Sequence, residues 1–146
     1  MVIIANIYFS DSKRKIIIEL PVLPEEMPEL SRNAKNEEFE TFNNGAFNLL
    51  GNVGLITFTL DSFLPAYANK YRWAKSQINP YSLINLWASN MANKTPLRVI
   101  MNRNLRKDLP AELLNLAVSV ENMKWHEDRT GDIKYTIDFK EYREIK

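Results

Sequence analysis

The stretch Ile133-Lys134-Tyr135-Thr136-Ile137-Asp138-Phe139-Lys140 carries the strongest strand signal in this chain. Its apolar residues alternate strictly with polar or charged ones, and this period of two is typical of a β-strand with one buried face. The upstream run Leu114, Leu116, Val118 and Val120 alternates in the same way, and we expect it to bulge before Met123. The two runs are predicted to pair as a long antiparallel hairpin around a loop at residues 126–131.

Shorter strand signals lie towards the N-terminus. Two apolar runs at residues 2–9 and 14–20 flank the turn-prone Ser10-Asp11-Ser12-Lys13, which predicts a β-hairpin. Residues 54–61 alternate cleanly and predict a further strand. We also expect one or two short strands within residues 29–44, a short apolar segment at 46–51, a short strand at 97–101 and a charged loop at 102–110.

One helix is predicted near residues 80–93. Asn79 is a favourable N-cap, and Pro80 stands at the first helical position, where its missing N–H costs nothing. The helical spacing of Ile84, Trp87, Ala88 and Met91 gives an apolar face. The predicted fold class is therefore α+β, mainly antiparallel β-sheet of about seven strands with this one main helix, in a single domain of residues 1–146.

Composition excludes several classes of function. Nineteen Lys and Arg against 18 Asp and Glu give a net charge of +1, which argues against a general nucleic-acid binder. The chain has no cysteine and a single histidine, His126, so thiol catalysis, disulfides and histidine-rich metal sites are excluded. No phosphate-binding glycine loop or calcium loop occurs. Adjacent acidic pairs such as Glu25-Glu26 point to opposite sides of an extended chain, so we expect no catalytic residue, cofactor or metal.

The sequence gives no sign of export or membrane insertion. No apolar run approaches the roughly 20 residues that a transmembrane helix needs. The mean hydropathy of −0.32 is typical of a soluble globular chain. Because no targeting signal is recognisable, we expect the chain to be made in the cytoplasm.

Two irregular apolar segments are the candidate protein-contact surfaces. Residues 20–28 contain three prolines, which exclude a helix interior or a central strand. Residues 63–73 form an aromatic connection without periodicity, which either anchors an interface or folds back as a lid over the core. The candidate interface residues are Pro21, Val22, Leu23, Pro24, Phe63, Leu64, Pro65, Tyr67, Tyr71 and Trp73.

Several segments stand in a recognisable order and spacing. They are IELPVLPEE (18–26), GAFNLLG (45–51), GLITF (54–58), SFLPA (62–66), NPY (79–81) before a helix with central Trp87, PLRVI (96–100) and TGDIKYTIDFKEYR (130–143). Together they resemble one known family, the short tail or baseplate protein of contractile-tailed phages, defective prophages and R-type bacteriocins, often called the LysM tail protein. Many relatives continue into a LysM module after this last segment. Because this sequence ends at Lys146, glycan binding is not expected of it.

The resemblance implies a non-catalytic baseplate component of a phage tail or tail-like particle such as a bacteriocin. It implies a position near the hub, linking the tail tube or hub to wedge proteins, in several copies around the tail axis. Direct nucleic-acid contact and membrane insertion are not expected. The sequence also leaves open a small soluble ligand-binding or adaptor domain, for which we would expect a concave pocket lined by aromatic residues.

Overall fold

The computed structural model describes residues 5–103 and 112–143. Six strands form one antiparallel sheet in the order β2-β1-β6-β7-β8-β5, and two more form a separate hairpin. The elements are β1 (Ala5–Asp11), β2 (Ile17–Glu19), β3 (Glu37–Thr41), β4 (Gly45–Leu49), β5 (Thr57–Leu64), α1 (Pro80–Asn93), β6 (Leu97–Arg103), β7 (Glu112–Glu127) and β8 (Ile133–Glu141). The predicted α+β class, mainly antiparallel with one main helix, is confirmed.

The hairpin of β7 and β8 contributes the two longest strands of the sheet. Its register shifts between Val120 and Asn122, which confirms the bulge expected before Met123. The position expected for His126 was wrong, because it pairs with Lys134 inside the ladder rather than lying in the loop. The ladder runs further because the turn is tight: the Asp128 carboxylate accepts hydrogen bonds from the N–H groups of Thr130 and Asp132.

The strands at the N-terminus pair as predicted, but the turn between them lies further along the chain. Ser10 and Asp11, expected in the turn, belong to β1, and β2 is limited to Ile17–Glu19. β1 and β2 form an antiparallel hairpin, and β1 then joins β6 along its whole length. β6 extends two residues beyond the expected strand, through Asn102 and Arg103, so these two are not part of a loop. Residues 104–110 of the expected charged loop lie outside the described residues.

β5 has the length that the alternation at residues 54–61 indicates, but it is displaced by three residues and begins at Thr57 rather than at Gly54. It continues through Phe63 and Leu64, which pair with Lys134 and Ile133 of β8. These two residues are therefore part of the sheet and not of the connection to which the sequence assigned them. Pairing with β8 decides their conformation, and that partner lies about 70 residues away in the sequence.

Helix α1 covers the apolar face of the sheet. The Asn79 side chain accepts a hydrogen bond from the N–H of Tyr81, which confirms the predicted N-cap, and the helix ends at Asn93 with Lys94 in a left-handed conformation. Its buried face carries Leu83, Ile84, Leu86 and Trp87. The Trp87 ring contacts the Phe9 ring edge-on, with 5.3 Å between the centroids. The helix therefore packs against strand β1, which carries Phe9.

Replacing Asn79 with alanine should lower the free energy of unfolding by about 1 kcal/mol, because the cap acceptor for the first helical turn is lost. Urea denaturation followed by circular dichroism measures this. Asn85→Ala is the matched control, since Asn85 is exposed within the helix and alanine has the higher helix propensity. Equal losses in both variants would contradict the capping role.

Candidate protein-contact surfaces

The buried carboxylate of Asp132 holds the irregular connection between β5 and α1. It accepts hydrogen bonds from the Ala66 N–H at 2.9 Å, the Lys70 ammonium at 2.7 Å and the Tyr71 hydroxyl at 2.6 Å. Burial alone would raise the pKa of Asp132, but these hydrogen bonds outweigh it and hold that pKa below its usual range. Lys70 also donates to the Thr130 carbonyl, so the connection is fixed to the β7–β8 turn.

An aromatic cluster lies on this fixed connection. The rings of Tyr71 and Trp73 lie 5.0 Å apart, and Phe63 contacts both of them edge-on. Trp73 is 56% exposed, and Tyr67 nearby is also mostly exposed. Because Asp132 holds Tyr71 in place, the exposed rings are presented on a fixed backbone, which is favourable for an interface anchor.

The structure places the proline-rich segment beside the residues that flank the aromatic connection at its two ends. The Lys75 N–H donates to the Pro21 carbonyl, and the Ser62 hydroxyl donates to the Val22 carbonyl. The candidate residues differ in accessibility: Pro21, Val22, Leu64 and Pro65 are buried within the chain, Leu23, Pro24, Phe63 and Tyr71 are half-buried, and Tyr67 and Trp73 are exposed. Only the half-buried and the exposed residues, six in all, could offer side-chain area to a partner without rearrangement.

A second surface, which the sequence analysis missed as a contact candidate, is the β3–β4 arm (residues 37–49). Its register places Phe39, Phe47 and Leu49 on one face and Glu38 and Glu40 on the other. The two Phe rings stack at 5.6 Å, yet both remain more than two-fifths exposed. A two-stranded hairpin is at best marginally stable alone in water, so an arm with an uncovered apolar face is suited to a partner.

The arm also has an apolar tip and apolar flanks. Phe42 at its turn is fully exposed, and Leu50 just beyond β4 is 82% exposed. The sequence did contain a signal, because Asn44-Gly45 between two short runs with aromatic residues is a strong indicator of a tight hairpin turn. Gly45 has a φ of +80°, which the turn requires and glycine adopts readily.

The base of the arm is attached to the edge of the main sheet at β5. Ser31 and Thr57 exchange two backbone hydrogen bonds there. The Glu141 carboxylate accepts hydrogen bonds from the Ile56 N–H and from the side chains of Arg32 and Arg143. Burial acts to raise the pKa of Glu141, but these hydrogen bonds outweigh it and hold that pKa below its usual range. The arm thus leaves the sheet from a hydrogen-bonded base.

Two open grooves lie between this base and the proline-rich segment. One has a volume of about 550 Å³ and is lined by Glu29, Thr57, Thr59, Glu121 and Asp138, among others. The other, of about 540 Å³, is lined mainly by residues 24–29 and Asp61. Phe58 and Phe139 also line the first groove, but acidic and hydroxyl-bearing residues outnumber them. The second groove has no aromatic residue in its lining.

Within residues 5–103 and 112–143, no group of three or more His, Asp or Glu side chains is arranged to hold a metal ion. Across the same described residues, no helix is long and apolar enough to cross a membrane. His126 is exposed on β7, and the buried carboxylate of Asp132 is fully engaged by the hydrogen bonds described above.

No protein-family model and no curated protein matches this chain. Among solved structures, it is similar to a chain of the cryo-EM structure of the anti-feeding prophage (AFP) baseplate, 6-fold symmetrised. The TM-score is 0.54 at 10% sequence identity, and the match covers 98% of this chain and 91% of that chain. The two chains therefore share a fold along nearly their whole length.

Proposed function

We propose that this chain is a structural baseplate component of a contractile phage tail or phage-tail-like particle. The observation that carries the proposal is the fold shared with a chain of a prophage baseplate over 98% of this sequence. In this role the chain lies near the hub, links the tail tube or hub to wedge proteins, and catalyses no reaction. It acts as one unit of residues 1–146 and occurs in several copies around the tail axis.

The surfaces of the chain support an assembly role. The β3–β4 arm exposes apolar side chains that nothing in the described chain covers, and the aromatic cluster presents Trp73 from a fixed connection. Apolar patches of this kind, bordered by charged residues, are typical of protein–protein contacts. Aromatic residues that are already held in place lose little conformational entropy on binding.

The test is the location of the chain in cells that make the particle. An epitope-tagged chain should sediment with intact particles and be labelled at the baseplate end in electron micrographs. Deleting the gene should abolish complete tails. A tagged chain that stays in the supernatant while tails assemble normally would contradict the proposal, and a stabilising small ligand in a thermal-shift panel would then favour the ligand-binding alternative.

The arm variant Phe42→Ser with Phe47→Ser should incorporate into particles about tenfold less than wild type, because contact area is lost from the exposed arm. Its thermal stability should be nearly unchanged, since neither ring belongs to the main core. Tyr142→Ser is the matched control, as Tyr142 is a comparably exposed aromatic residue outside the arm. Quantitative immunoblotting of sedimented particles compares the two, and equal incorporation would show that the arm makes no contact.

A further inference from the structure

The β3–β4 arm carries one sign of charge. Residues 37–49 contain Glu37, Glu38 and Glu40 and no lysine or arginine, although the whole chain is close to neutral. Glu37 pairs with Leu49 and shares the uncovered apolar face formed by Phe39, Phe47 and Leu49, whereas Glu38 and Glu40 lie on the opposite face of the arm. The occupant of this face therefore needs exposed apolar side chains next to exposed positive charge.

The chain itself carries such a surface at the β1–β2 turn (residues 12–17). Lys13, Arg14 and Lys15 stand consecutively in this turn and are exposed. Ile16 and Ile17 follow directly and are 52% and 61% exposed, which is unusual for isoleucine. Three positive charges and two exposed aliphatic residues thus form the chemical complement of the arm.

The two surfaces lie at opposite edges of the same sheet. β2 is one edge strand, and β5, to which the base of the arm is hydrogen-bonded, is the other. With strands about 4.8 Å apart, six strands separate the two edges by about 24 Å. The arm is attached at the β5 edge and the basic turn lies at the β2 edge. The arm of one molecule can therefore meet the turn of a second molecule that lies beside it.

The strand register also places both surfaces at the same end of the sheet. Thr57, at the base of the arm, pairs with Lys140 of β8, which pairs with Ser119 of β7. The adjacent Val118 pairs with Leu97 of β6, and Leu97 pairs with Asp11, which directly precedes the turn. A second copy placed beside the first therefore has its turn level with the base of the first copy's arm.

We infer that the β3–β4 arm of one copy binds the β1–β2 turn of a second copy of this chain. The contact joins two different surfaces, so each copy offers an arm at one edge and a turn at the other, and successive copies form a closed ring when the rotation between them closes. The inference rests on the proposed function for its setting, a ring of copies around an axis. The contact itself is a property of the free chain and can be tested without a particle.

The absence of cysteine in the natural sequence allows a clean cross-linking test. Leu49→Cys places a thiol on the apolar face of the arm and Ser12→Cys places one in the turn, and neither removes a charge. A third variant, Asn85→Cys, places a thiol on the exposed face of α1 as a control. Purified full-length chains are mixed in pairs under mild oxidation, with a tag on one partner so that mixed dimers are separated by mass.

The arm and turn variants should form a mixed disulfide dimer about tenfold faster than the arm and helix variants. Adding Glu37→Lys, on the apolar face of the arm, to the arm variant should remove this excess, and reversing Lys15 to glutamate in the turn variant should restore it. An excess that is absent, or that is indifferent to charge reversal, would overturn the contact between copies. If that happened while the tagged chain still sedimented with particles, the proposed function would stand and only this contact would be wrong.

Discussion

Replacing Trp87 with alanine is expected to lower the free energy of unfolding by about 3–5 kcal/mol. Trp87 is fully buried and is among the largest side chains of the core. Its ring lies 5.3 Å from Phe9 and 5.1 Å from Tyr135, between centroids, so one side chain joins α1 to strands β1 and β8. Its removal leaves a cavity that the surrounding strands cannot close, because their hydrogen-bonded ladders fix their spacing.

The measurement is urea denaturation followed by circular dichroism, which does not depend on tryptophan fluorescence. Trp125→Ala is the matched control, because Trp125 lies on β7 with nearly half of its surface exposed. The control should lose less than about 1 kcal/mol. Similar losses in the two variants would show that α1 does not pack on the sheet through Trp87.

Replacing Asp132 with asparagine is expected to cost about 1–3 kcal/mol at pH 7, because it removes the charge that three donors share. The ammonium of Lys70 loses its ion pair at 2.7 Å, and the amide cannot accept hydrogen bonds from all three donors in the same way. The connection at residues 65–79 should then become more open to proteolysis while the sheet remains folded. Limited trypsin digestion detects this by faster cleavage next to Lys70 or Arg72.

The effect of Asp132 should also depend on pH. Hydrogen bonding lowers the native pKa of Asp132 below its ordinary value of 3.8, so its contribution to stability is present above that value and is lost as the pH falls through the lower native pKa. The difference in stability between wild type and Asp132→Asn should therefore be constant from pH 7 to about pH 5 and shrink below pH 4. A pH-independent difference for Asp132→Asn would contradict the role assigned to its charge.

Local signals in the sequence were sufficient for the elements with regular periodicity. The alternation around Tyr135 and the N-cap at Asn79 each specify a conformation through neighbours a few residues away. The bulge before Met123 was likewise visible, because the apolar alternation of β7 breaks there. The antiparallel class could also be predicted from the sequence, because consecutive strands joined by short turns pair as hairpins.

Predictions failed where pairing with another strand decides the structure. Phe63 and Leu64 resemble the aromatic connection in composition, yet their pairing with β8, about 70 residues away, makes them strand residues. His126 lies among polar residues that look like a loop, yet its pairing with Lys134 across the hairpin keeps it in β7. In both cases backbone pairing outweighs local propensity.

The sequence by itself determined the class of fold, the helix with its cap, and the lack of thiol chemistry, because these depend on residue types and short spacings. Only the tertiary structure decided that Asp132 gathers Ala66, Lys70 and Tyr71, and that the arm and the basic turn occupy opposite edges at one end of the sheet. These facts follow from strand order and register, which no local pattern encodes. Burial, too, is a property of the assembled layers, so sequence alone could not separate buried Leu64 from exposed Trp73.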